Sequence, residues 1–199
     1  MTRTANPRGS GSRLRDELLD AATRLLDAGG RDAALTLRGV AREAGVAAPS
    51  VYAHFPDLDA LVLELIRRHM ADLAGRVRGA VAVADGARTA LRAAAHAYVA
   101  WGLERPGPYT VVFEGRALRQ LSRDEELALT AGEDLLADLV ALLQAVPATA
   151  GARSDADAAR AALAVWSGLH GVVALRTAKP AYPWPPLEEH ADAVIEPYL

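Results

Sequence analysis

Apolar residues recur every three to four positions along most of the 199-residue chain, and no useful period-two run interrupts them, the mark of helices rather than strands. The first stripe, Leu14, Leu18, Ala22 and Leu25, starts from Ser12 and stops at Gly29-Gly30, predicting a helix closed by glycine. Leu37, Val40 and Ala41 share a face of a short second helix that Thr36 can cap and Gly45 can end. Residues 48–54 predict a third short helix, with Pro49 tolerated in its first turn. Asp57 opens a long fourth helix whose inward face carries Leu58, Leu61, Val62, Leu65, Ile66, His69, Leu73 and Val77, followed by a break between Gly79 and Gly86.

The fifth helix runs from about Arg88 to Glu104. Pro106, Gly107 and Pro108 predict a turn, after which Tyr109, Val112 and Phe113 lie on a short sixth segment. Ser122 and Glu125 form a capping-box pattern that opens a seventh helix. Residues 146–153 read as a loop. An eighth helix carries Ala159, Ala162, Leu163, Trp166, Leu169, His170 and Val173 until the prolines from Pro180 to Pro186 end it, and a ninth spans roughly Leu187 to Ile195. The fold class is therefore all-α: a three-helix helix-turn-helix domain followed by a larger antiparallel helical bundle, about nine helices in total. The organisation predicted is a disordered basic arm over 1–12, the helix-turn-helix domain over 13–56, and the larger helical bundle over 57–199.

Charge sharpens this division. Residues 1–15 carry Arg3, Arg8, Arg13 and Arg15 and no acid. Residues 1–110 hold 15 basic and 12 acidic groups, net +3, whereas residues 111–199 hold 7 and 13, net −6. A basic front and an acidic back suit a polyanion met by the front alone; an ordinary uneven surface has the same split, and charge alone leaves both readings open. The chain has no cysteine, which excludes disulfides and thiolate metal sites. No uncharged apolar run approaches the ~18–20 residues of a membrane span, and MTRTANPRGSGSR lacks the apolar stretch of a secretory signal. A cytoplasmic protein with no membrane partner is expected.

The segment TLRGVAREAG-VAAPSVYAHF pairs two short helices across a glycine turn, the layout of a helix-turn-helix. Ala41 and Val46 are compact where the helices cross, and Val40, Val51 and Phe55 can lock both onto the first helix. The second helix of such a pair enters the major groove. Its leading residues must then be short, as Ala47, Ala48, Pro49 and Ser50 are. Ser50 and Tyr52 carry hydroxyl donors and His54 a ring donor, all suited to phosphate. The Arg38 guanidinium has the fork that reads guanine O6 and N7. A plain packing hairpin, with Tyr52 laid on the bundle, has the same spacing, and the spacing alone leaves both readings open.

T-L-R-G-V-A-R-E-A-G-V-A-A-P-S-V-Y-A-H-F followed by P-D-L-D-A-L resembles the N-terminal domain of the tetracycline-repressor (TetR) family over roughly residues 14–62. The resemblance implies a homodimeric transcription regulator, usually a repressor released from a near-palindromic operator by a small apolar or aromatic ligand. By position, Thr36, Ser50, Tyr52 and His54 match phosphate- or DNA-facing sites, and Arg38, Ala47, Ala48 and Pro49 match base-facing sites. Many members have a lysine where this chain has Leu58, so a phosphate contact is missing here and Arg13 or Arg15 is expected to replace it. W-S-G-L-H-G at Trp166–Gly171 looks like the Trp-x-x-x-His-Gly signature of one C-terminal subgroup. Homodimerisation through helices eight and nine is implied, with faces near Ala162, Trp166, Val173, Val194 and Ile195.

In the bundle, Trp166 and His170 share a helix face, as do Ala94, Tyr98 and Trp101. With His96, Tyr109 and Phe113 they offer an apolar, aromatic lining with a few polar tips, the character of a small-molecule site; aromatics at this spacing serve equally as core. Gly168 and Gly171, inside the eighth helix, suit either a close helix approach or room for a ligand. No P-loop, G-x-G-x-x-G, H-E-x-x-H or G-x-S-x-G occurs, and the five histidines lack i,i+4 spacing. No catalytic residue, metal or cofactor is predicted. The partners expected are a double-stranded DNA operator and a small-molecule effector; the alternative is an all-α interaction or ligand-binding module that does not bind DNA.

Overall fold

The computed structural model describes residues 10–29, 35–113, 130–147 and 153–199. Among these residues are nine α-helices and no strand: α1 (Ser10–Gly29), α2 (Leu37–Glu43), α3 (Ala48–Tyr52), α4 (Leu58–Ala82), α5 (Ala87–Glu104), α6 (Pro106–Phe113), α7 (Thr130–Ala145), α8 (Asp155–Ala178) and α9 (Leu187–Ile195), closed by a 3-10 turn over Glu196–Tyr198. Packing divides the described residues into two compact units, one within 1–68 and 107–121, the other within 69–106 and 122–199.

The first unit is built on α1. Its Leu18, Leu19, Ala21, Ala22 and Leu26 are buried against Leu37, Val40 and Ala41 of α2, Val51 of α3, Phe55, and Leu61 and Leu65 of α4. Val111 of α6 packs on the same cluster. The boundary drawn from sequence between residues 56 and 57 therefore does not coincide with the packing boundary, which falls inside α4 after Arg68. α1 with the two short helices α2 and α3 cannot enclose a core alone, so the first turns of α4 complete it. Ion pairs tie α1 outward: Arg24 to Glu43 at 2.8 Å, Arg15 to Glu64 at 3.0 Å, and Asp20 to Arg68.

In the second unit, α5 is packed by α7, α8 and α9, and α8 also meets α7 and α9. Leu91, Val99 and Trp101 of α5, Leu143 of α7, Val165 and Val173 of α8 and Ile195 of α9 are wholly buried. A Cβ placed on Gly168 would lie 2.5 Å from Val194 Cγ1, so α8 and α9 meet where α8 has no side chain. Gly171 has nothing within 4 Å, so only the first of these two glycines is explained by helix approach within the chain. Arg153 Nη1 donates to the Leu143 carbonyl at 2.8 Å and Nη2 to that of Tyr198, also at 2.8 Å, holding the end of α7 to the chain's last turn.

Several sequence expectations shift. The first helix starts at Ser10, ahead of Ser12, so residues 10–12 belong to the helix; residues 1–9 lie outside the described residues. α4 runs through Gly79, and the break is confined to residues 83–86, where Gly86 takes φ +87°. Pro106–Pro108 opens α6 rather than forming a turn, because prolines fit a first helical turn, where no intrahelical N–H bond is needed. The Ser122–Glu125 capping box and residues 148–152 of the expected loop lie outside the described residues. In α8 the buried set is Ala158, Ala161, Ala162, Val165, Leu169, Val172 and Val173, which leaves Leu163 and Trp166 on the exposed side. By length and composition α8 is also, among the described residues, the one helix apolar enough to cross a membrane. Its uncharged run is shorter than a span because Arg160 and Arg176 bound it on either side. Part of its apolar surface is taken up by α5, α7 and α9.

Candidate nucleic-acid interface and effector site

The helix-turn-helix is set by three local features. Thr36 caps α2, its Oγ1 accepting from the Gly39 N–H at 3.0 Å. A Cβ on Gly39 would lie 2.9 Å from that same oxygen, so glycine there keeps the cap intact. Gly45 takes φ +69°, a conformation side chains resist, and the Val46 N–H then donates back to the Ala41 carbonyl at 2.9 Å. Val40, Val51 and Phe55 are at most 1% exposed; they fix the hairpin to α1 and α4.

With that inner face buried, the outer face is presented to solvent. Thr36, Arg38, Ala47, Pro49 and Tyr52 are exposed, and Ala48, Ser50 and His54 are half-buried. Tyr52 keeps 51% of its surface accessible, so it is not laid into the bundle. The eight residues predicted to face DNA thus lie on α2, on α3 or directly beside them. Arg13 and Arg15, the residues expected to meet phosphate, are both ion-paired. Arg13 pairs with Glu17 at 2.9 Å while remaining largely in solvent. Arg15 pairs with Glu64, and its Cζ lies 5.1 Å from the centroid of Phe55. The hydrogen bond from Arg15 holds the Glu64 carboxyl below the usual carboxylate range, against the opposing effect of burial.

The residues expected at an effector site divide between the units. In the second unit, Trp166 Nε1 donates to the Tyr98 hydroxyl at 3.2 Å, joining α8 to α5. His96 Nε2 lies 2.8 Å from Asp192 Oδ1, whose other oxygen is 3.6 Å from Arg92. His170 is half-buried on the same helix as Trp166. Trp101 is fully buried, and its indole N–H donates to Asp72 Oδ2 at 2.7 Å. Burial pushes the Asp72 carboxyl up, but the Trp101 hydrogen bond with Arg105 and Arg76 carries it below its ordinary value. Trp101 therefore has a core role. Tyr109 and Phe113 belong to the first unit, on α6, with ring centroids 4.8 Å apart.

Asp72 and Asp192 escaped the sequence reading. A signal for Asp72 existed: a buried indole requires an acceptor, and Arg105, one turn after Trp101, marks the face where a carboxylate would sit. Asp192 carried no such mark, because its partners are 96 and 100 residues earlier in the chain.

These two units define an α-helical protein with an N-terminal helix-turn-helix. The family described as Tetracyclin repressor-like, C-terminal domain, matches residues 91–197, and that described as Bacterial regulatory proteins, tetR family, matches residues 18–65. The chain belongs to the tetR family of bacterial regulatory proteins. It is 50% identical over 52 residues to an uncharacterized HTH-type transcriptional regulator from Haemophilus influenzae; the match covers 26% of this chain and a quarter (25%) of that relative. Among solved structures, a protein of unknown function from Rhodococcus sp. RHA1 is 27% identical, with 98% of this chain and 97% of that one covered at a TM-score of 0.75. The TetR family transcriptional regulator PfmR from Thermus thermophilus, 23% identical over 92% of this chain and 96% of its own, shares the fold at a TM-score of 0.67.

Proposed function

We propose that this protein is a homodimeric, DNA-binding transcription regulator, a repressor whose α3 enters the major groove of a near-palindromic operator and whose second unit binds a small apolar or aromatic effector. The observation that carries the reading is the two-sidedness of α3. Val51 and Phe55 anchor it, while Ala47, Pro49 and Tyr52 remain outside with Arg38 beside them. Small leading residues let backbone approach the groove floor, and Ser50, Tyr52 and His54 then meet phosphate. Binding is tested by fluorescence anisotropy on the DNA upstream of the protein's own coding region, over a salt series. Selective, salt-sensitive binding is expected, and Arg38→Ala should cost ~1–3 kcal/mol and relax selectivity at one base position. A wild-type protein that binds no DNA even at about 50 mM salt sinks the reading and leaves the interaction module in its place.

The effector proposal rests on the second unit alone: Tyr98 and Trp166, joined through their polar tips, with His96 and His170 on the same two helices. For the dimer, the faces named from sequence need revision. Ala162, Val173 and Ile195 are wholly buried within the protomer, and Val194 packs on Gly168. On the side of α8 left over, Leu163 is 49% exposed and Trp166 39%. We assign the two-fold contact to this face, centred on Leu163, Ser167, His170 and Ala174, which recur at helical spacing. Leu163→Glu combined with Ser167→Glu is expected to convert a dimer to a folded monomer in sedimentation velocity. A dimer that survives both substitutions places the interface elsewhere.

A further inference from the structure

Arg15 stands at the junction of three elements of the first unit. It lies on α1. Its Nη2 donates to Glu64 Oε2 of α4 at 3.0 Å, and its guanidinium covers the ring of Phe55 at 5.1 Å. Phe55 follows α3 directly, is 1% exposed, and donates its backbone N–H to the Val51 carbonyl of α3 at 2.8 Å. Glu64 is shared with Arg67, whose Nη1 lies 3.5 Å from the same oxygen. A planar guanidinium can stack on a ring face and bond a carboxylate through its edge at once, which a lysine cannot do. The arrangement therefore grips the C-terminal end of the recognition helix from outside the hairpin.

We propose that Arg15 is a positioning residue for α3: with Glu64 it clamps Phe55 and thereby fixes the angle of the recognition helix, instead of binding a DNA phosphate itself. The proposal rests on the DNA-binding reading above. The two roles predict opposite signs for Glu64. If Arg15 served phosphate, Glu64 would compete with DNA for it, and Glu64→Gln would free the guanidinium and tighten binding. Removing a negative charge near a polyanion acts in the same direction. If Arg15 is a clamp, Glu64→Gln loosens α3 and weakens binding despite the gain in net charge.

The test compares wild type, R15Q, E64Q, R15Q/E64Q and R15K on one operator fragment by anisotropy across a salt series, well below the unfolding temperature, with folding verified by circular dichroism. R15Q and E64Q are each expected to lose affinity by about 3- to 10-fold. The double variant should lose no more than the worse single variant, because both remove one unit. The salt slopes should match wild type, and R15K should fall between, keeping the ion pair and losing the stack. Tighter binding by E64Q, or a slope for R15Q shallower by about 0.9, overturns the proposal and makes Arg15 a phosphate contact. Variants that stay folded and bind like wild type overturn it as well. Hydrogen exchange on the free protein separates this from a failure of the DNA-binding reading: the amides of residues 51–55 should exchange faster in R15Q and E64Q, and unchanged exchange refutes the clamp whether or not DNA is bound.

Discussion

Trp101→Ala is expected to lower the unfolding free energy of the protein by about 3–5 kcal/mol. Trp101 is the largest wholly buried side chain among the described residues. It sits on α5, which α7, α8 and α9 all pack against. Truncation removes a bicyclic ring that dispersion contacts hold on every side, and the helices around it collapse only in part. A second loss accompanies the first, since Asp72 forfeits the indole N–H that it accepts at 2.7 Å. That loss is small, because Asp72 keeps Arg105 at 3.0 Å and is itself partly solvated. Trp101→Phe, which keeps most of the volume and drops the donor, should therefore cost only about 1 kcal/mol. Urea unfolding followed by circular dichroism measures both. A Trp101→Ala variant within about 1 kcal/mol of wild type would mean that this ring is not what the second unit is packed around.

Gly168→Val is expected to destabilise by about 1–3 kcal/mol, and Val194→Ala in the same chain to recover most of that. A side chain at position 168 would place its Cβ 2.5 Å from Val194 Cγ1, well inside contact distance. Valine cannot swing this methyl away cheaply, because a β-branched side chain in a helix has one strongly preferred χ1 rotamer. The helices must separate unless the methyl is removed. Gly171→Ala is the contrast. Nothing lies within 4 Å of that position in the chain, and alanine is favoured over glycine by ~1 kcal/mol in a helix interior. The monomer should therefore gain stability from it. If the exposed α8 face carries the two-fold contact, the same alanine should weaken dimerisation in sedimentation experiments. A Gly168→Val chain as stable as wild type would contradict the close approach of α8 and α9.

The chain itself settled most of the secondary structure and much of which side of the helix-turn-helix stays exposed. Thr36, Gly45 and Pro49 act through backbone rules that operate over four residues, so their caps and turns could be read directly. The inward set Val40, Val51 and Phe55 followed from helical spacing, because α2 and α3 have one apolar face each. Tertiary structure was needed wherever a helix is apolar on more than one side or a partner is distant in sequence. On α8, periodicity could not say whether Leu163 and Trp166 or Ala158 and Val165 face inward, since both stripes are apolar; packing against α5, α7 and α9 chose the second. Only the folded chain reveals that Gly168 faces Val194, that Trp101 and Asp72 are bonded, and that Arg15 is engaged by Glu64 and Phe55. Local spacing fixes what a backbone does next; which surfaces meet depends on contacts across tens of residues, and those exist only once the helices have packed.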